Sequence, residues 1–249
     1  MKFIGVDLGW QSGPSGLCCL ERIGNSLVLS QLDRVDTLEA VLAWVASVAP
    51  SPLPAMVAVD APTIIPNNTG MRSPDRLAHK YFGKYHAGCY PANLGRPFAA
   101  RLVQFGKDLE SQGFAHAPAM PPQQLGRYQV EVFPHIAMIQ LFSLSRILKY
   151  KKGRLAERVK GLTELKHYIL TRLTQHEPPL VVKQLPDIPT TGQALKALED
   201  QLDSIICAYA GAYWWYWGLA RNGVMGSVAE GYIVVSSPPG APVSCADCL

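Results

Sequence analysis

The spacing of apolar residues over the first sixty positions predicts several strands interrupted by one helix. Short apolar runs are typical of buried strands, whereas apolar residues three and four apart are typical of one helix face. On this basis the chain predicts three strands, a helix and a fourth strand, in that order: residues 2–8, 16–23, 27–35, 37–48 and 55–60. The Gly24-Asn25 pair favours a hairpin between the second and third strands. Because a crossover helix joins parallel strands, the pattern indicates an α/β sheet with mixed strand directions.

The rest of the chain continues with an irregular insertion, followed by further strands and helices. Residues 62–126 hold many Pro, Gly and aromatic residues, and we expect this insertion subdomain to cover the end of the sheet near Asp60. Residues 238–249 are predicted to form a loose tail. The length of the chain predicts a single domain over 1–249. Between insertion and tail the pattern predicts a strand, three helices and a last strand: 128–133, 134–148, 155–174, 193–221 and 231–236.

Composition is typical of a globular protein. Hydrophobic residues make up 48% of the 249 positions and charged residues 17%, which argues against a disordered chain. The net charge of +4 permits a nucleic-acid partner without requiring one. Asp7 interrupts the first apolar run, so no signal peptide is predicted and a cytoplasmic location is expected. Six cysteines predict reduced thiols, and the C-x-x-C pair Cys245 and Cys248 lacks evident partners for a zinc site.

The last long helix carries an uncharged, aromatic-rich stretch at residues 204–220. This stretch is at the short limit of membrane-spanning length, and its aromatic residues are not confined to two belts, so a buried helix is predicted rather than a membrane span. Aromatic residues surround this helix, so that a second face needs cover besides the face on the sheet. Either the insertion provides this cover, or a second copy of the chain does so in a homo-oligomer.

Acidic residues recur at or near the ends of buried elements. Asp7 and Asp60 end predicted strands, Glu131 lies inside one, and Asp200 and Asp203 share one helix face. If the first and fourth strands are parallel neighbours, Asp7 and Asp60 leave the sheet at the same edge. Carboxylates grouped in this way would bind Mg²⁺ or Mn²⁺ and support phosphoryl-transfer chemistry. Taken singly, these acids have plainer interpretations as helix caps, a solvated helix face, or a solvent-facing strand position for Glu131.

The order of these elements and acids resembles that of the RNase H-like superfamily, in which three antiparallel strands precede a helix and parallel strands. A first-strand Asp, an acid after the fourth strand and D-x-x-D on a late helix are similar to Holliday-junction resolvases of the RuvC type. More closely, the chain resembles a family of uncharacterised proteins predicted to be RNase H-like nucleases. The matching motifs are GVDLGW, VAVDAP, G-x-R-x-x-D at Gly70, Arg72 and Asp75, VEVFPH and LDSIICAYAG.

This resemblance implies a metal-dependent nuclease, built on an RNase H-like mixed sheet of about five strands with flanking helices and an insertion after the fourth strand. It implies that Asp7, Asp60 and Asp203 hold Mg²⁺ or Mn²⁺, and that Asp200 and Glu131 assist catalysis. The acid that starts the first helix in the best-known nuclease of the superfamily has no clear match here. The fold also hosts sugar kinases and actin-like ATPases, so that membership alone does not establish activity.

Five further residues are candidate substrate-binding residues. Arg72 and Asp75 match the family pattern without a known role. His135 opens a helix near the predicted site, where it would either exchange a proton near pH 7 or pack locally. Lys151 and Lys152 belong to a basic segment that would attract phosphates, although a solvated helix junction explains the same charges.

Two other functions are alternatives to a nuclease. An ATP-dependent phosphotransferase of the related actin-like fold would need a second nucleotide-binding half, for which 249 residues leave little room. A non-catalytic binding protein could also retain the fold. The motifs G-x-x-x-x-G-K-[ST], G-x-G-x-x-G and G-x-S-x-G are absent from the sequence, which argues against P-loop and Rossmann nucleotide sites and against a serine nucleophile elbow.

Overall fold

A computed structural model of the chain describes residues 1–243. The strands are β1 (Lys2–Asp7), β2 (Ser15–Ile23), β3 (Ser26–Val35), β4 (Ala55–Val59), β5 (Ala115–His116), β6 (Arg127–Glu131), β7 (Leu180–Val181), β8 (Asn222–Ser227) and β9 (Gly231–Ser236). The helices are α1 (Leu38–Val48), α2 (Ser73–Phe82), α3 (Ala99–Ser111), α4 (Pro134–Phe142), α5 (Leu155–Thr171) and α6 (Gly192–Trp217). Single 3₁₀ turns follow α2 and α6.

Most strands form one mixed sheet. Its strand order within residues 1–243 is β5-β6-β4-β1-β2-β3-β7. β1, β2 and β3 pair antiparallel, whereas β4 is parallel to both β1 and β6. This order confirms the predicted α/β class and its mixed sheet, with three antiparallel strands followed by parallel ones. The predicted count of about five strands was low, because β5 and β7 are two-residue edge strands that carry no periodic signal.

Helices cover both faces of the sheet. Phe3 and Met56 belong to the core beneath α4, α5 and α6, whereas Ile4 and Val57 belong to the core beneath α1 and α3. Successive side chains of a strand point to opposite faces, so that one strand contributes to both cores. The apolar runs of β1 and β4 are therefore buried on both sides, as the sequence predicted.

Two glycines let α6 lie directly against the sheet. A Cβ at Gly5 would stand 1.8 Å from the carbonyl oxygen of Ser204, and one at Gly16 would stand 1.9 Å from that of Asp200. Gly16 is the register partner of Asp7. The close approach therefore brings the acidic part of α6 over the end of β1.

Several predicted boundaries were wrong. α4 ends at Phe142 rather than near residue 148, because Ser143 adopts a left-handed conformation with φ of 53°. The predicted 193–221 helix ends earlier, at Trp217, before a 3₁₀ turn. β9 does not join the seven-stranded sheet as a strand. It forms a hairpin with β8, which the sequence did not predict, and contacts the sheet through a bridge between Val132 and Val234.

The aromatic stretch at 204–220 is mostly covered within the chain. Residues 204–215 are all buried, and Trp214 and Trp215 are at most 1% exposed. Their indole nitrogens donate to Ala117 and Gln124, in the part of the chain predicted as an insertion. Cover by the insertion, rather than by a second copy, is therefore the correct alternative for these residues.

The insertion is partly helical and joins the main core. α3 contributes Leu102 and Phe105 to the same apolar cluster as Val41 and Val45 of α1. Two predictions of domain organisation stay predictions. They are a separate subdomain at residues 62–126 and a single domain over residues 1–249. The Cys245 and Cys248 pair, and half of the predicted tail, lie outside the described residues. Within residues 1–243, no helix has the length and apolar character needed to cross a membrane.

Candidate active site

Asp7 and Asp60 lie side by side at one edge of the sheet. β1 and β4 are parallel neighbours, and the Asp60 amide donates to the Val6 carbonyl at 2.9 Å. Burial raises the pKa of Asp60 to about 7 and that of Asp7 well above its usual range, while Lys151 partly opposes both shifts. The negative charge of Asp60 also acts on Asp7 and raises its pKa, because like charges placed close together disfavour each other's ionised form. The prediction that these two acids meet is confirmed by the register of the strands.

Asp203 reaches the same cluster from α6. Its side chain is fully buried, its Oδ1 accepts a hydrogen bond from the Tyr150 hydroxyl at 2.7 Å, and its Oδ2 lies 2.7 Å from Lys151 Nζ. Burial alone would lower the pKa of Lys151, but Asp203, Asp7 and Asp60 raise it well above its usual range. Lys151 therefore stays charged at neutral pH and partly compensates three acids.

Asp200 lies one helical turn away, in a second cluster of opposite charges. Its Oδ2 accepts from Arg34 Nε at 2.9 Å, and its Oδ1 lies 2.7 Å from Lys196 Nζ. Lys196 also contacts Glu199 at 2.7 Å. Asp200 is only 2% exposed, so the helix face predicted as either catalytic or solvated is buried and ion-paired.

The two clusters border one open groove. Its empty volume is about 1280 Å³, including solvent at its mouth. The charged residues that line the groove are Asp7, Asp60, Asp200, Arg34, Lys151 and Lys196. The aromatic residues that line it are Trp10, Tyr90 and Phe133. Three acids and three cations therefore share this surface.

Asp7 and Asp60 have the chemistry of ligands for a hard divalent cation. Neither carboxylate forms an ion pair with a Lys or Arg of residues 1–243. Mg²⁺ is commonly held by one or two carboxylates, with water and substrate phosphate completing its coordination. In the described part of the chain, no three His, Cys, Asp or Glu side chains are grouped so that they could hold an ion together. The residues thus fit a two-carboxylate site, and the role of Asp203 as a third ligand stays a prediction.

The G-x-R-x-x-D motif forms a buried ion network beside the groove. The Arg72 guanidinium donates to Glu131 at 2.6 and 2.8 Å and to Asp75 Oδ1 at 2.8 Å. Asp75 also accepts from the backbone amides of Arg72 and Ala92, each at 3.1 Å. The motif therefore ties the start of α2 and the loop before α3 to the end of β6.

Glu131 is buried rather than solvent-facing, and it lines a small cavity together with Asp60 and Arg72. Its register partner is Val59, which belongs to the core under α1 and α3 rather than to the core under α6. Burial raises the pKa of Glu131 to about 7, and Arg72 partly opposes this shift. The catalytic role of Glu131 and the substrate-binding roles of Arg72 and Asp75 stay predictions; all three side chains are at most 4% exposed.

His135 and Lys152 occupy different surroundings. The His135 ring lies 5.8 Å from the Tyr150 ring, and its Nδ1 is buried without a hydrogen-bond partner among the described residues. Burial and the charge of Lys151 lower the pKa of His135 to about 4, so that it is neutral at pH 7. Lys152 is exposed and lines a separate groove with Lys149 and Lys160. Lys151, unlike Lys152, therefore lines the groove beside the acid cluster.

Three residues of the site were missed by the sequence analysis. Lys196 stands four residues before Asp200, a spacing that predicts an ion pair on a helix. Tyr150 carried a weaker signal, as the neighbour of Lys151. Arg34 lies 166 residues from its partner, and nothing local in the sequence indicates that contact.

Comparisons with known proteins place the chain in a family. Curated proteins gave no match. Among solved structures, the Thermus thermophilus RuvC structure is similar at 13% identity and a TM-score of 0.41, over 85% of this chain and 98% of that one. T. thermophilus RuvC in complex with a Holliday junction substrate is similar at 15% identity and a TM-score of 0.33, over 85% and 97%. The family model described as "Protein of unknown function (DUF429)" matches residues 5–222, and the chain therefore belongs to that family.

Proposed function

We propose that the chain is a Mg²⁺- or Mn²⁺-dependent nuclease that hydrolyses phosphodiester bonds in the groove at the ends of β1 and β4. The observation that carries the proposal is the meeting of Asp7, Asp60 and Lys151 in one open groove, where Lys151 also contacts the buried Asp203. Carboxylates in this position suit a cation, and the flanking cations suit a phosphate.

Each residue of the groove has a stated task in this proposal. Asp7 and Asp60 would hold the ion, which would activate water and stabilise the developing negative charge. Lys196 and Arg34 would bind and orient the substrate phosphate, since their side chains are 51% and 26% exposed at the rim of the groove. In the ion-free site, Tyr150 and Lys151 hold Asp203 through its two oxygens. Asp200 holds Lys196 and Arg34 in place.

Nucleic acid is the substrate class that the surroundings favour. The groove is open rather than enclosed, so a chain of phosphates can pass along it. The basic segment after α4 adds Lys149, Lys152 and Lys160 on a neighbouring groove, where they can contact a longer polyanion. A small phosphoester would need only the first groove.

The test is a cleavage assay with Mg²⁺ or Mn²⁺ on labelled single-stranded, duplex and branched DNA, on RNA, and on a small phosphodiester. We expect metal-dependent cleavage of at least one nucleic acid. Asp7→Asn should reduce it by about 100-fold or more, because loss of one positioned electrostatic group costs that much in other enzymes. Asp36→Asn, which alters an exposed carboxylate, should leave it unchanged.

Three results would contradict the proposal or redirect it. Cleavage that persists in Asp7→Asn would place the activity elsewhere or in a contaminant. Binding of ATP by the wild type, without cleavage, would favour the phosphotransferase. Binding of nucleic acid without cleavage under any metal condition would favour the non-catalytic binding protein.

A further inference from the structure

Lys151 occupies an unusual position for a loop lysine. It lies between α4 and α5, outside regular secondary structure, yet its ammonium contacts a fully buried carboxylate at 2.7 Å. Its side chain remains 31% exposed and lines the groove. The neighbouring Tyr150 is completely buried and bonded to the same carboxylate, so it anchors the loop at this point.

The positive charge of Lys151 compensates part of the negative charge of the acid cluster. A carboxylate buried as deeply as Asp203 is costly unless a cation or several donors compensate it. Lys151 is the cation in contact with Asp203 among the described residues, and Asp7 and Asp60 also act on it electrostatically. Arg34 and Lys196 contact Asp200 instead. The cluster therefore already contains one positive charge at its centre.

We propose that Lys151 is a built-in cation of the acid cluster and that a divalent ion must displace its ammonium from Asp203 in order to bind. Two positive groups held by the same few carboxylates repel each other strongly at short range. A lysine ammonium on a flexible four-carbon stem can move outward without refolding the chain. Because Lys151 already lines the groove, its displaced ammonium would lie where a substrate phosphate enters.

This exchange would link metal loading to substrate binding. Without an ion, Lys151 neutralises Asp203 and keeps the buried cluster stable. With an ion, Asp203 becomes free to contact the metal or its water, and Lys151 becomes free to contact phosphate. The inference rests on the proposed function only in assuming that a divalent ion enters this site.

The first test measures Mn²⁺ affinity by calorimetry for the wild type, Lys151→Met and Lys149→Met. Methionine keeps the unbranched stem but removes the charge. Lys149 is exposed and two residues away, so that its variant controls for a general loss of positive charge. We expect Lys151→Met to bind Mn²⁺ about tenfold more tightly, since a neighbouring charge of this kind shifts ionic equilibria by a factor of ten or more. Lys149→Met should change the affinity by less than about twofold. Unchanged or weaker binding by Lys151→Met would overturn the proposal.

The second test uses the wild type and does not depend on a variant that folds. An ammonium in a buried ion pair exchanges its protons slowly, so Lys151 should give a distinct signal in spectra of ¹⁵N-lysine-labelled protein, assigned with Lys151→Arg. We expect this signal to disappear as Mg²⁺ saturates the site. A signal that persists at saturation would show that Lys151 and the ion coexist, which contradicts displacement.

The two proposals fail in distinguishable ways. Displacement of Lys151 by the ion, without cleavage of any substrate, would refute the nuclease and leave the exchange intact. Metal-dependent cleavage with Lys151 still bound to Asp203 would refute the exchange alone. If neither the wild type nor Lys151→Met binds Mg²⁺ or Mn²⁺, both are wrong.

Discussion

Replacing Arg72 by methionine is expected to cost several kilocalories of stability, because Arg72 is the cation of a buried network. Arg72, Asp75 and Glu131 are 3%, 1% and 4% exposed. The guanidinium makes two hydrogen bonds to Glu131, contacts Asp75, and donates to the Ile64 carbonyl at 3.0 Å. Methionine fills part of the volume but leaves two carboxyl groups buried without this partner.

The size of the effect follows from known buried ion pairs. Removing one partner of such a pair costs about 3–5 kcal/mol. A domain of ordinary stability has only about 5–15 kcal/mol in total. If the free energy of unfolding falls by about 3 kcal/mol per molar urea, the urea concentration at the unfolding midpoint should fall by about 1–2 M.

The effect should also depend on pH in a defined direction. In the wild type, burial raises the pKa of Glu131 from 4.5 to about 7. The folded protein therefore holds a proton that the unfolded chain releases, and Glu131 lowers stability as pH rises through this window. Without Arg72 the pKa of Glu131 rises further, so that the loss continues above pH 7. The deficit of Arg72→Met should be about 1–3 kcal/mol larger at pH 9 than at pH 7.

The assay is urea unfolding followed by circular dichroism at both pH values, with Arg76→Met as the control. Arg76 is exposed and lies one turn further along α2. Its replacement should change the free energy of unfolding by less than about 0.5 kcal/mol. The reasoning is refuted if Arg72→Met is no less stable than Arg76→Met. It is also refuted if the loss of stability in Arg72→Met becomes smaller as pH rises.

Three further predictions concern the core of the site. Between pH 6.5 and 4.5 the wild type should lose about 2 kcal/mol of folding stability, because the pKa of His135 is about 4 in the folded state and the usual 6.5 in the unfolded chain. His135→Phe should not show this loss. Thermal melts at the two pH values measure it, and equal pH dependence in both proteins would contradict the prediction. Gly5→Ala should destabilise the fold by about 3 kcal/mol, because the added Cβ would meet the Ser204 carbonyl. Gly13→Ala should not destabilise it, because a Cβ there would point into open space. Chemical denaturation compares the two variants, and equal stabilities would rule out the close approach of α6 to β1. Tyr150→Phe should cost about 2 kcal/mol by removing a hydrogen bond to buried Asp203; calorimetry measures it, and a neutral effect would argue against that bond.

Local patterns in the sequence were sufficient for most of the sheet. β1 to β4 and α1 appear at the predicted places because each is marked by apolar spacing and by local signals at its ends. Thr37 caps α1 by accepting a hydrogen bond from the Ala40 amide at 3.1 Å. Edge strands of two residues and the β8–β9 hairpin were missed, since they depend on neighbours brought from elsewhere in the chain.

The candidate site was only partly predictable. Asp7 and Asp60 could be paired from the sequence, because strand order alone puts the ends of two parallel strands at one edge. The position of Glu131 relative to these two acids could not be predicted, because it depends on which sheet face each side chain takes in the final register. The argument from strand ends applied to Asp7 and Asp60 only. Glu131 lies inside its predicted strand, and in the structure it lines a small cavity together with Asp60.

The sequence by itself therefore determined the order of elements, the mixed sheet and the edge at which the first acids meet, since these follow from local periodicity and the geometry of parallel strands. Tertiary structure alone decided the ion pairs between residues that are far apart in the sequence. Lys151 reaches Asp203, Arg34 reaches Asp200 and Arg72 reaches Glu131 across separations of 52, 166 and 59 residues. Such contacts depend on how α6 and the insertion pack against the sheet, which no short stretch of sequence encodes.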